Sequence, residues 1–128
     1  MSGLCQEIPY FVTKSPYPIH REGLPAEIYA EFVFDNTFSG FQGHFPDRPL
    51  LPGIVQIMLA RYTAAMGNAA RLTGVKRCKF LNPIKPGESI SVSVTTGQRA
   101  NEYQASVSSN AVLCATMQFE LAQDGKES

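Results

Sequence analysis

From Ile28 onward hydrophobic and polar positions alternate. Ile28, Ala30, Phe32 and Phe34 fall on one face, with Tyr29, Glu31 and Val33 on the other. This period-two pattern predicts a strand that is mostly buried. Ser89 to Thr95 alternates more cleanly, with Ile90, Val92 and Val94 inward and serines outward. Tyr103, Ala105 and Val107 repeat the pattern after a short Gly97–Asn101 turn. Ser109-Asn110 predicts a tight hairpin into Ala111–Leu121, with Leu113, Ala115, Met117, Phe119 and Leu121 on one face. Val75–Phe80 reads as a further strand, ended by Asn82-Pro83 and the Pro86-Gly87 turn. One segment breaks the period. From Pro52 to about Asn68 the residues Ile54, Val55, Ile57, Met58, Leu59, Ala60, Tyr62, Ala64, Ala65 and Met66 leave almost no polar face. Pro52 suits a first helical position, where its missing N–H would be unpaired in any case. A helix apolar nearly all round is buried on most sides, and its natural cover here is a curved sheet. The expected class is α+β, an antiparallel sheet wrapped around one long central helix. Residues 1–26, with Pro9, Pro16, Pro18 and Pro25, read as an irregular or edge segment, and 122–128 as a tail.

Composition narrows the function classes. A chain of 128 residues has the size of one domain. Hydrophobic residues make up 44% and charged ones 17%, against about 25% charged on average, which excludes a chiefly disordered protein. The zero net charge argues against a nucleic-acid binder recognised by overall basicity. No apolar run approaches the ~18 residues of a membrane span, and no basic stretch with an apolar core opens the chain, so a cytoplasmic protein is expected. The three cysteines, Cys5, Cys78 and Cys114, lie far apart without a CxxC pair. They fit neither a disulfide framework nor a zinc site, and no metal is expected. His20, between Pro18 and Arg21, reads as exposed.

The candidate chemistry lies in the 17 residues from Asn36 to Pro52, longer than a structural connection needs. His44 stands nine residues before Gly53. Leu51 and Pro52 offer no side-chain oxygen to cap the helix, so its first N–H groups stay free at the positive end of the helix dipole. Gly53 has no side chain to keep a ligand from its amide, which makes this end a site for a carbonyl oxygen or oxyanion. His44 in a rigid Gly/Pro loop could be the base beside it. On spacing alone it could equally be a buried histidine donating to a backbone carbonyl.

Gly43-His44-Phe45-Pro46-x-x-Pro49-x-x-Pro52-Gly53 resembles the signature of the hot-dog-fold 3-hydroxyacyl-ACP dehydratases of fatty-acid synthesis (FabZ/FabA-like), with every fixed position present. Val75 to Glu88, containing Lys79-Phe80 and Pro83-Ile84-Lys85-Pro86-Gly87-Glu88, resembles that family's strand and turn. The similarity covers about residues 28–121. It implies a single hot-dog domain over 1–128, subunits paired sheet edge to sheet edge, and an active site between two subunits. His44 resembles the histidine that removes the proton α to the thioester carbonyl, and Gly53 the residue whose N–H polarises that carbonyl. Phe45 and Pro46 shape the histidine loop and, with Pro52 and Met58, are candidate substrate-binding positions. The family carries a Glu or Asp fourteen residues after the histidine, and here that position is Met58. A thioether cannot deliver a proton, and losing a general acid costs about 10²–10⁴ in rate. No carboxylate lies between Asp47 and Glu88 to replace it. Gln56, two residues before Met58 and about 200° around the helix, points away from it. Tyr62, one turn after Met58, could present a hydroxyl. Pro52-Gly53-Ile54-Val55-Gln56 is similar to dehydratase-like proteins of aryl-polyene and related specialised lipid clusters.

The first expectation is therefore a dehydratase-like lyase of fatty-acid or specialised lipid/polyene biosynthesis. Its substrate would be a 3-hydroxyacyl thioester of acyl carrier protein or CoA, with no cofactor beyond the phosphopantetheine the substrate carries. The alternatives are a non-catalytic acyl-thioester-binding subunit that needs a partner, or a thioesterase. A homodimer or higher oligomer, possibly heteromeric, is expected, with no nucleic-acid or membrane partner. Phe38, Phe41 and Phe45 could line an acyl tunnel or simply pack. The neutral total hides an asymmetry, because Arg48 to Gly87 holds seven basic residues and no acidic one. Within it Lys76, Arg77 and Lys79 are the candidate carrier-binding residues, steering an acidic carrier or a phosphate, unless they are a solvated fringe.

Overall fold

The structure, a computed structural model, describes residues 6–41, 50–97 and 99–122. Six strands, β1 (Val12–Ile19), β2 (Glu27–Val33), β3 (Leu72–Phe80), β4 (Ser89–Thr96), β5 (Glu102–Ser109) and β6 (Val112–Leu121), form one sheet. Every neighbouring pair is antiparallel, in the order β1-β2-β4-β5-β6-β3. The helix α1 (Gly53–Ala64) lies across it, chiefly against β4 and β5. Alternation along the strands decides which side faces the helix. Phe32, Val92, Val107 and Phe119 are buried beneath Val55 and Leu59 of α1, each worth about 1.5–3 kcal/mol when fully removed from water. The opposite face carries Ser91, Ser93, Gln104, Ser106, Thr116 and Gln118. The expected sheet around a central helix is present. β1 fills the predicted edge segment, and Pro16 and Pro18 are tolerated there because an edge strand need not donate on both sides.

Three details depart from the sequence pattern. The helix stops at Ala64 rather than about Asn68, because Met66 and Gly67 both take left-handed backbone (φ 58° and 81°). The Gly67 N–H then closes the last turn on the Tyr62 carbonyl at 2.9 Å. Next, Leu113 does not share the inner face of β6 and is 40% exposed. Val107 pairs with Ala115 but Ser108 pairs with Leu113, so Cys114 is an extra residue. Such a bulge reverses the alternation beyond it. The Cys114 carbonyl turns to accept the Leu81 N–H at 2.7 Å, tying down the end of β3. Finally, β3 does not precede β4 in the sheet but crosses to pair with β6. Cys78 and Cys114 are free thiols whose pKa burial raises. Among the described residues no helix is long and apolar enough to cross a membrane.

The β5–β6 turn is Asn110-Ala111, one residue later than predicted, with φ of 54° and 65°. Two left-handed residues match the twist of a two-residue hairpin, but alanine is strained there by about 1–2 kcal/mol. Ala111→Gly relieves this while adding freedom to the unfolded chain. A net gain of about 0.5–1 kcal/mol is expected in urea unfolding, and a loss of stability would contradict the turn geometry.

Candidate active site

Pro52 leads into α1 with extended backbone (ψ 150°), and no side chain caps the helix. The first helical bonds run from Val55 N–H and Gln56 N–H to the Pro52 carbonyl, at 3.1 and 3.3 Å. The amides of Gly53 and Ile54 precede them and have no acceptor within the helix. Leu51 N–H donates to the Ile84 carbonyl at 2.8 Å, fixing this entry against the turn between β3 and β4. A cleft of about 400 Å³ opens at the helix start, walled by Leu50, Leu51, Phe80, Leu81 and Pro83. The Phe80 ring approaches Gly53 closely, and a Cβ there would stand 2.7 Å from its Cζ, so the ring would have to shift.

Two polar side chains of the described residues also line the cleft. Asn82 is committed elsewhere, its amide donating to the Leu113 carbonyl at 2.8 Å. Gln56 is only 4% exposed, and its Oε1 has no hydrogen-bond partner among the described residues. An unpaired buried acceptor costs about 1–3 kcal/mol. Thr63, also buried on α1, instead donates its hydroxyl to the Leu59 carbonyl at 2.8 Å.

The structure brings Pro52, Gly53 and Gln56 together. His44, Phe45 and Pro46 lie outside the described residues, as does Asp47. Met58 is nine-tenths buried in the core of its own subunit, two residues past Gln56. Tyr62 packs edge-on against Phe32 at 5.8 Å, with its hydroxyl 3.5 Å from the place a Cβ on Gly67 would take. That is the far end of the helix, about 13 Å along its axis from Gly53. Phe38 and Phe41 pack with Phe11 and Phe34 in one aromatic cluster rather than lining the cleft. His20 is exposed.

The basic residues of β3 divide. Lys76 Nζ sits 3.9 Å from carboxylates of both Glu102 and Glu120, so its charge faces two acidic partners. These partners reach it from β5 and β6, far along the chain, so the run of seven basic residues does not make a uniformly basic surface. Arg77 and Lys79 border a shallow groove of about 580 Å³ on the polar outer face of the sheet, floored by Ser93, Thr95 and Gln104. Arg77 occupies a bulge with φ 52°.

Sequence reasoning missed two contributors. Glu7 accepts from the Ser39 N–H at 3.0 Å and from its hydroxyl, tying the N-terminal segment to the Ser39–Phe41 turn just before the histidine motif. No local signal announces a contact across 32 residues. Gln56 did have one, as the polar residue in the otherwise apolar stretch Gly53–Ala60. Among the described residues no three His, Cys, Asp or Glu side chains gather as a metal site.

Comparison with known proteins bears on the family and the fold. The profile of the ApeI-like family, described as ApeI dehydratase, matches residues 21–118. A 3-hydroxyacyl-[acyl-carrier-protein] dehydratase FabZ of Rhodopseudomonas palustris (strain TIE-1) is 35% identical over 71 residues, covering 46% of this chain and 47% of the relative. FabZ of Natranaerobius thermophilus is 39% identical over 62 residues, 41% of this chain and 44% of its own. The match thus spans about half the length of these curated relatives. Among solved structures, a chain of the dehydratase heterocomplex ApeI:P from Xenorhabdus doucetiae superposes with a TM-score of 0.67 at 22% identity, covering 84% of this chain and 98% of that one. The PaaI protein of the E. coli phenylacetic acid degradation operon superposes at 0.64 with 12% identity, over 95% and 88%. The fold is the hot dog.

Proposed function

The chain belongs to the ApeI-like dehydratase family, and from that premise we propose that it removes water from 3-hydroxyacyl thioesters at the cleft where α1 begins. One observation carries the reading: an uncapped helix start at a side-chain-free residue opens onto an apolar cleft. An acyl thioester fits such a place, its carbonyl oxygen on the Gly53 N–H and its chain along Leu50, Leu51 and Leu81. As the α-proton leaves, negative charge grows on that oxygen, and a fixed amide at the positive end of a helix stabilises it most at that moment. His44 takes the α-proton, the C2–C3 double bond forms, and the C3–O bond breaks. The departing oxygen needs one proton, and the imidazolium just formed holds one. A single histidine can therefore balance the reaction without a carboxylate at Met58. Tyr62 sits too far along the helix to share that work.

A heteromeric assembly is the second reading. Ile54, Phe80 and Leu81 leave apolar surface around the cleft, which suits cover by another subunit, and the similar fold from Xenorhabdus doucetiae comes from a heterocomplex. A different subunit could then bring the carboxylate that Met58 lacks. Incubating 3-hydroxyacyl-ACP with the purified chain and following its mass separates the possibilities. Loss of one water supports the dehydratase, gain of water with release of free acid supports a thioesterase, and no change at high enzyme loading with an intact fold sinks both as activities of this chain alone. Water loss only after a co-purified partner is added favours the heteromer.

Carrier recognition is proposed at Arg77 and Lys79, since Lys76 shares its charge with two carboxylates. Arg77→Glu with Lys79→Glu should weaken carrier binding about tenfold at low salt, and the difference should shrink at high ionic strength. Affinity that stays unchanged at low salt would dispose of the patch.

A further inference from the structure

Gln56 and Gly53 stand three positions apart on α1 and line one cleft, so they share a helix face. The other described walls are apolar, and Asn82 is committed to the Leu113 carbonyl. Among the described residues, the groups left to meet a ligand are thus the helix-start N–H and the Gln56 carboxamide, whose Oε1 is buried and has no partner among them. A ligand that completes the site must present an acceptor and, within a few ångström, a donor. The carbonyl of a saturated acyl thioester supplies only the acceptor. A 3-hydroxyacyl thioester supplies both, because its hydroxyl lies two carbons from the carbonyl and its O–H can donate. The enoyl product has again lost the donor.

We propose that Gln56 is the specificity-determining residue that accepts a hydrogen bond from the substrate's 3-hydroxyl. This rests on the acyl-thioester reading of the cleft and adds what that reading lacks, a reason for the site to prefer the hydroxylated chain and release the dehydrated one. A carboxamide neither gives up nor takes a proton at ordinary pH, so Gln56 recognises the hydroxyl and leaves proton transfer to His44. A site whose buried polar group is matched by a substrate hydroxyl rejects the analogue without it, because the group is then left unpaired.

The test compares binding of 3-hydroxyoctanoyl-pantetheine and octanoyl-pantetheine, by calorimetry, to the native chain and to Gln56→Met. The native chain should prefer the hydroxylated thioester about tenfold, as one buried hydrogen bond allows. Gln56→Met, close in shape but apolar, should bring the two affinities within about twofold, while the variant unfolds at the same temperature or higher. Gln56→Leu serves as a second apolar replacement if the methionine variant fails to fold. Equal affinities in the native chain, binding of neither thioester, or a preference that survives both replacements would overturn the proposal. Turnover separates this from the parent reading. A preference lost in Gln56→Met without any water loss in the native chain would sink the dehydratase and keep the hydroxyl contact. Water loss with an unmoved preference would do the reverse.

Discussion

Phe38→Ala is expected to lower the free energy of unfolding by about 3–5 kcal/mol, the usual cost of emptying a fully buried aromatic site. Phe38 has no exposed surface and sits among three other rings, with centroids 4.5 Å from Phe34, 5.4 Å from Phe11 and 5.7 Å from Phe41. The rings come from the N-terminal turn (Phe11), the residue after β2 (Phe34), Phe38 and the end of the Ser39–Phe41 turn, so no single neighbour can collapse into the hole. Against a total of about 5–15 kcal/mol for a domain, this is a large share. Phe38→Leu keeps most of the volume and should cost much less. Chemical unfolding of both variants decides the matter, and a loss below about 1 kcal/mol for the alanine would mean that the cluster relaxes freely. The consequence would extend to the proposed chemistry, because Phe41 immediately precedes residues 42–49 in the chain, and His44 is among them.

Gly53→Ala should do the opposite, sparing the fold and impairing the reaction. Its Cβ would meet the Phe80 ring at 2.7, 3.0 and 3.1 Å. Phe80 is half exposed and can swing aside, and alanine is favoured over glycine in a helix by about 1 kcal/mol, so the melting temperature should hold or rise. The new methyl group and the displaced ring would both intrude where the proposed thioester carbonyl approaches the amide. A displacement of about 1 Å there costs on the order of a hundredfold in turnover. Adding Phe80→Ala removes the clash and should recover part of the loss. A Gly53→Ala variant with native kcat/KM on a 3-hydroxyacyl thioester would rule out the amide as the carbonyl's partner.

The sheet around a helix was legible from period alone, because Phe32, Val92, Val107 and Phe119 had to face one way. Its order was not. Nothing near β3 says that it pairs with β6, since that choice depends on edges available only once the sheet exists. Leu113 was assigned to the wrong face because a bulge at Cys114 is a backbone event with no marker in the hydrophobic pattern. The helix end was misplaced because Met66 gives no sign of left-handed backbone, whereas Gly67 beside it does. In the site, Gly53 could be read from motif and helix-capping logic together. Gln56 was set aside because its direction was measured from Met58, about 200° away. Measured from Gly53 it lies about 300° on, almost one full turn, and shares the cleft.

The position of β3 bears on when the cleft can exist. Within the sheet β3 has one hydrogen-bonded neighbour, β6, and their paired residues lie between 35 and 49 positions apart in the chain. The hairpins β4–β5 and β5–β6 close over short loops and are expected to form early, while β3 must wait for the last strand to be in place. Phe80 and Leu81 end β3 and wall the cleft. The binding site is therefore expected to be the last region to assemble in refolding, after the sheet has acquired most of its hydrogen bonds.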